Sequence, residues 1–333
     1  MNQKVILIGF ASVIVMLFSY CTQQSNFPKL SGPYLGQKPP GMTPEIFAPG
    51  IISTGMSESA ITVSPDGNEI FYTVHAGNSE TIVTTRLENG IWTAPEVATF
   101  SGKYLDGFPA MHPDGSKLYF HSYRPLNSGE EIAEVVNIWF VEREGNRWSE
   151  PKPVGPPVNG DGFVCCPSIT RTGTLYYSKK TKDGGEKIYR SRYVDGQYLE
   201  PEELPPHVNS EKDQFHAVIS PDETYLILPR EEYLVSFRDE ADQWTELISL
   251  REPVNEHRSG WCPSISSDGR YFFFAAYPSI EWKKSFEKRH TYSDFQEITL
   301  KHPASERTDI FWVDTKIIEE LRLKELKSLA NSK

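Results

Sequence analysis

FPAMHPDGSKLYFHSYR, residues 108–124, decides how the rest of this chain is read. A short strand runs into the turn His112-Pro113-Asp114-Gly115, and an alternating strand leaves it from Lys117 to Ser122. Proline presets φ at the first central position of such a turn, and glycine takes the φ > 0 position that a Cβ disfavours. The same hairpin recurs four times. Its turns are Ser64-Pro65-Asp66-Gly67, Thr170-Arg171-Thr172-Gly173, Ser220-Pro221-Asp222-Glu223 and Ser266-Ser267-Asp268-Gly269, each followed by a strand such as Tyr271-Phe272-Phe273-Phe274. With the turn Asp or its equivalent as marker, the repeats stand at 66, 114, 172, 222 and 268. The spacing is that of a four-stranded propeller blade, roughly 40–50 residues.

Each unit carries two further strands. The third includes Thr81-Ile82-Val83-Thr84, Asn137-Ile138-Trp139-Phe140 and Asp309-Ile310-Phe311-Trp312. A tight turn then leads to an aromatic residue that is usually followed by proline, as in Trp92-Thr93-Ala94-Pro95 and Trp148-Ser149-Glu150-Pro151, opening an outer fourth strand where proline is tolerated. The fifth unit lacks its fourth strand, and the match for it is Pro44-Glu45-Ile46-Phe47 at the other end. The expected fold is therefore an all-β, five-bladed β-propeller, with six blades as the alternative. Its N-terminal strand closes the ring, which leaves only short, protected sheet edges. Residues 278–308 form a locally basic insert in blade five. Ile and Leu at helical spacing make 315–333 a short C-terminal helix and tail.

The 333 residues hold 34 Lys+Arg against 45 Asp+Glu, a net charge of −11. That balance argues against nucleic acid as a partner, because phosphate recognition rests on a basic surface. The four cysteines, Cys21, Cys165, Cys166 and Cys262, show no zinc-ribbon spacing.

Residues 1–21 are a targeting segment: Lys4 is the basic n-region and residues 5–18 an apolar core. Phe18-Ser19-Tyr20-Cys21 resembles a bacterial lipoprotein lipobox, with Phe18 where Leu is usual and Tyr20 where a small residue is usual. The resemblance implies lipidation at Cys21 and a domain held in the bacterial cell envelope; composition makes residues 22–42 a Pro- and Gly-rich linker, and the repeats put the propeller over 43–314. The lipobox resemblance also implies a lipid anchor in the membrane, with the domain in the periplasm or at the outer-membrane surface. The aligned repeats themselves resemble the WD40-like propeller repeat of the TolB type, built on a Ser-Pro-Asp-Gly turn. The Trp-Asp and Gly-His pairs of true WD40 repeats are absent. The chain is also similar to uncharacterised lipoproteins carrying this repeat, and neither resemblance supplies an activity.

In a propeller, the loop leading into strand one and the loop between strands two and three open at one mouth. The first supplies Glu58, Asp106, Asp161, Asp213 and Arg258, and the second supplies Arg124, Lys180 and Arg230. These eight are the candidate ligand-binding residues, because a concave opening with convergent charge is the default small-ligand site. Six residues before the marker stand Ala60, Phe108, Cys166, His216 and Cys262. Cys166, His216 and Cys262 are thus candidates for a metal site, Cys166 and Cys262 for a disulfide, and all of them for plain packing between blades. No cofactor is implied, and a bound divalent metal stays open. The expected function is a non-catalytic, envelope-anchored binding module for a protein, peptide or glycan. The alternative is a glycan hydrolase or lyase using carboxylates at the mouth.

Overall fold

The computed structural model describes residues 27–54, 56–126, 131–160, 162–256, 261–276 and 308–331. The targeting segment with Cys21, most of the basic insert, Asp161 and Arg258 lie outside the described residues.

Five antiparallel sheets form five blades. Blade one comprises Glu58–Val63, Glu69–Ala76 and Ser79–Glu88, and blade two Asp106–Met111, Lys117–Ser122 and Asn137–Glu144. Blade three comprises Val164–Ile169, Leu175–Lys180 and Glu186–Ser191, and blade four Val218–Ile219, Tyr225–Pro229 and Tyr233–Phe237. Blade five has Ser264–Ile265, Tyr271–Ala276 and Asp309–Asp314, and Glu45–Ile46 is its fourth strand, with Glu45 opposite Trp312. The first strands of successive blades touch in order, and that of blade five touches that of blade one. The ring is closed.

Local chemistry explains the repeat. The Ser64 hydroxyl accepts the backbone N–H of Glu69 at 2.9 Å and donates to Asp66 at 2.6 Å, and Ser266 does the same with Tyr271 and Asp268. Every turn then passes through a left-handed residue: Gly67, Gly115, Gly173, Glu223 and Gly269 all have φ between 64° and 86°. Glu223, the one side chain in that position, bonds the Tyr176 hydroxyl of the preceding blade at 2.7 Å and pairs with Arg238 at 3.2 Å. The fourth strands of the first three blades are split in two. Pro95 separates Ile91–Trp92 from Glu96–Val97, and Pro151 and Pro201 stand at the equivalent breaks. Proline has no N–H to give the ladder, so pairing stops at it and resumes beyond.

Aromatic side chains fill the spaces between blades. Phe71, Phe100, Phe120 and Trp148 meet between blades one and two, and Tyr233, Phe272 and Phe274 between four and five. The segment that composition marks as linker lies across the closing seam from residue 27 on. Tyr34 and Leu35 are buried, with the Tyr34 ring 5.2 Å from Tyr271 and 5.6 Å from Trp312, and Trp92 Nε1 donates to the Gly32 carbonyl at 2.7 Å. The C-terminal helix, Lys316–Asn331, buries Ile318 and Leu321 in the core that holds Tyr225, Phe237 and Val313. Among the described residues no helix is long and apolar enough to cross a membrane.

One irregularity repeats in all five blades and builds the site. Ala60, Phe108, Cys166, His216 and Cys262 all have φ between 45° and 62°. In the first three blades the pairing register slips at that point, between Ser59 and Thr62, Gly107 and Ala110, and Cys165 and Ser168. This is a β-bulge, which breaks the alternation of side chains and re-aims them. The bulge is tied to its neighbour blade: the Phe108 N–H donates to Thr73 Oγ1 at 2.9 Å, and the His216 N–H to Ser178 Oγ at 3.2 Å.

Candidate functional site: the mouth of the ring

Glu58 and Asp106 do not project into the mouth. Asp106 is fully buried, and Arg124 Nη1 donates to its Oδ1 at 2.8 Å. Ser122 and Ser101 donate to its two oxygens at 2.6 and 2.9 Å, while Arg124 also reaches the Phe100 carbonyl. Burial pushes the Asp106 carboxyl up, against the pull of Arg124 and the two serines. Gln214 takes the same place in blade four and accepts from Arg230 at 2.8 Å. Glu58 is buried too, its Oε1 accepting from the Thr54 and Met56 N–H groups at 3.1 and 3.2 Å. Asp106 and Arg124, both expected at the mouth, meet as a buried pair that is part of the wall. Lys180 and Asp213 are exposed on the rim, where Asp213 runs beside Glu186.

The axis holds different chemistry. On the blade-two side, His121 Nε2 lies 2.8 Å from Glu80 Oε1. A carboxylate can only accept, so Nε2 is the donor and Nδ1 is the nitrogen left over. Nδ1 is buried and has no hydrogen-bond partner among the described residues. Gly107 makes room for this pair: a Cβ there would meet Glu80 Oε2 at 2.8 Å and His121 Nε2 at 3.0 Å. His75 stands on the other side of Glu80, its Nδ1 3.8 Å from the carboxylate and its Nε2 2.7 Å from Ser59 Oγ. Cys165 and Cys166 complete the group, with their sulfurs 2.9 Å apart. One donor atom each from His121, Cys165 and Cys166 falls within 4.8 Å of the others.

The ring of Phe108 divides this group from a second one, its centroid 4.6 Å from His121 and 4.5 Å from His216. On the far side Cys262 Sγ lies 3.8 Å from His216 Nδ1, and Phe215 stacks on Trp261 at 4.7 Å with 12° between the planes. The predicted trio therefore separates: His216 and Cys262 belong together, and Cys166 goes with Cys165 and His121. All three described cysteines are free thiols, so Cys166 and Cys262 are not bridged. Below the bulges lies a partly open cavity of about 50 Å3, lined by Ala60, Phe108, Cys166 and His216 among others. That is room for a few waters.

The two sides differ electrostatically. Burial pulls the His121 imidazole down, but the Cys165 sulfur and the Glu80 carboxylate outweigh it and raise it to about 9. Glu80 is held below the usual carboxylate range, the His121 hydrogen bond overcoming burial. Burial works against the Cys165 thiolate, yet Cys166 and His121 carry it below an ordinary thiol, while Cys166 is pushed well up by burial and by Cys165. Among the described residues no carboxylate hydrogen-bonds His216, and the Glu80 charge does not offset its burial. Burial, with the charge on His121, depresses it to about 3.

Sequence reasoning missed Glu80, His121 and Cys165 as site residues. His121 sits in the hairpin that opens the reading, and strand pairing sets it opposite Gly107. A histidine at an inward position facing a glycine was the available signal.

No family model matches the chain, and no curated protein matches it. Among solved structures it is similar to TolB from Acinetobacter baumannii, with 19% identity and a TM-score of 0.44 over 66% of this chain and 48% of that one. The chain thus spans about half the length of that TolB. It is also similar to an α-L-arabinofuranosidase from Lactobacillus brevis, with 12% identity and a TM-score of 0.46 over 78% and 91% of the two chains. A third is the PQQ-bound aldose sugar dehydrogenase from Streptomyces coelicolor, with 13% identity and a TM-score of 0.40 over 79% and 82%. None of these likenesses is close enough to say what this chain binds or turns over.

Proposed function

We propose that the propeller is a binding module, tethered to the cell envelope through Cys21, whose mouth receives a protein, peptide or glycan without turning it over. One observation carries this reading: the wall carboxylates Asp106 and Glu58 are buried and held in internal bonds, while the mouth presents the stacked Phe215–Trp261 pair, with Trp261 36% exposed. A glycosidase needs two carboxyl groups facing a shared substrate bond. An exposed aromatic platform beside a pit suits recognition, since aromatic anchors dominate binding energetics.

The test is a screen of the full chain against glycan and peptide arrays, run beside an assay for reducing ends and unsaturated sugar products. Binding that weakens at least about tenfold in Trp261→Ala, with no product formed, supports the reading. Glycan turnover by the unaltered chain overturns it in favour of a hydrolase or lyase.

A further inference from the structure

Adjacent residues in a regular strand point to opposite faces, so neighbouring cysteines cannot ordinarily hold one ion. Here the left-handed bulge at Cys166, φ 55°, turns its side chain back onto Cys165 and brings the two sulfurs to 2.9 Å. The third donor is prepared separately. Glu80, from the third strand of blade one, engages His121 Nε2 and leaves Nδ1 buried without a hydrogen-bond partner among the described residues. A carboxylate behind a histidine, fixing the ring and leaving the other nitrogen to the ion, is how metal-binding imidazoles are oriented.

We propose that Cys165, Cys166 and His121 form a three-ligand site for a thiophilic cation, Zn2+, with Glu80 as the residue that positions His121. Donors around a tetrahedral zinc lie about 3.3–3.8 Å apart. That range falls between the 2.9 Å separating the sulfurs and the 4.8 Å within which all three atoms lie, so side-chain adjustments close the site. Charge and donor type narrow the ion to a thiophilic divalent cation. Two thiolates neutralise Zn2+, whereas Cu+ would leave a net anion in a buried place beside Glu80, and Mg2+ and Ca2+ require oxygen donors. Three protein ligands leave the fourth position to water or to a ligand arriving from the mouth. His216 and Cys262 take no part, because Phe108 stands between. The site does not depend on which partner the mouth receives.

The test uses the full chain, reduced and stripped of metal, titrated with Zn2+ against a chromophoric chelator and with Co2+ as a spectroscopic stand-in. One ion per chain is expected, with the thiolate-to-cobalt charge transfer and strong ligand-field bands of a tetrahedral sulfur site. Cys165→Ser and Cys166→Ser abolish both signals, Cys262→Ser leaves them unchanged, and Glu80→Gln weakens Zn2+ by about 10–100-fold. The proposal is overturned by no uptake by protein whose thiols titrate as free, by uptake without a thiolate signature, or by uptake indifferent to Cys165→Ser and Cys166→Ser. A Cys165–Cys166 disulfide whose reduction brings no zinc uptake overturns it too. Where circular dichroism shows that a cysteine variant has not folded, Glu80→Gln keeps both sulfurs and decides, an unchanged affinity overturning the proposal.

Discussion

The two ends of the propeller axis are built on opposite principles. At the turn end, five hairpins repeat one solution: a hydroxyl gathers backbone N–H groups in four of them, His112 Nδ1 accepts one in the second, and the left-handed residue is glycine four times in five. At the mouth, five bulges repeat one backbone but carry Ala60, Phe108, Cys166, His216 and Cys262, five side chains of four kinds. Left-handed geometry costs a non-glycine residue about 1–2 kcal/mol. The turn end avoids that cost in four blades of five, Glu223 being the exception, while the mouth accepts it in every blade. Strain that recurs where chemistry gathers is a pointer to function.

The largest effect should come from breaking the wall that frames the mouth. Arg124→Met leaves the Asp106 carboxylate buried without its charge partner, and removing one member of a buried pair costs about 3–5 kcal/mol. Urea unfolding measures it; a loss below about 1 kcal/mol would show that the wall is not closed. Next comes the turn end. Gly67→Ala places a Cβ at φ 72°, 3.0 Å from Pro33 Cβ and 3.1 Å from the Tyr34 ring, and should cost about 2 kcal/mol. The matching change at the mouth runs the other way: Ala60→Gly relieves φ 45° and should be neutral or stabilise by up to about 1 kcal/mol. Thermal melts of the two variants test the contrast directly, and equal losses would end it.

The smallest effect is on pH dependence. His216 titrates near 3 in the folded chain, below its ordinary value of about 6.5. Between those values the unfolded chain binds a proton that the folded chain refuses, so stability falls as pH falls through that window. Glu80, His75 and His121 face the same space and add their own charges. His216→Gln should therefore shallow the decline of the urea midpoint between about pH 6.5 and pH 4. An unchanged slope would mean that His216 is solvated in the folded state.

How much of this was legible follows from the range of the forces. Turns are local: Ser64-Pro65-Asp66-Gly67 specifies its own geometry within six residues, so the blade count and the closing strand at Glu45–Ile46 could be read directly. Tyr34 and Leu35, in the stretch read as linker, pack on the closing seam, which composition alone does not show. The mouth was readable only in part. The level six before the marker was visible, and so was the convergence of the loops that carry Asp106 and Arg124. The burial of that pair was not, because burial depends on Ser101, Phe100 and the neighbouring blade.

By itself the sequence determined a five-bladed ring, its closure by the N-terminal strand and its C-terminal helix, since each rests on turn chemistry and on periodicity along one stretch of chain. Only the tertiary structure decided which polar groups share the axis. It set Glu80 of blade one against His121 of blade two, set Cys165 and Cys166 of blade three beside them, and placed Phe108 between them and His216. Those contacts depend on a bulge that reverses side-chain direction and on the rotation from blade to blade, and no sequence spacing records either one.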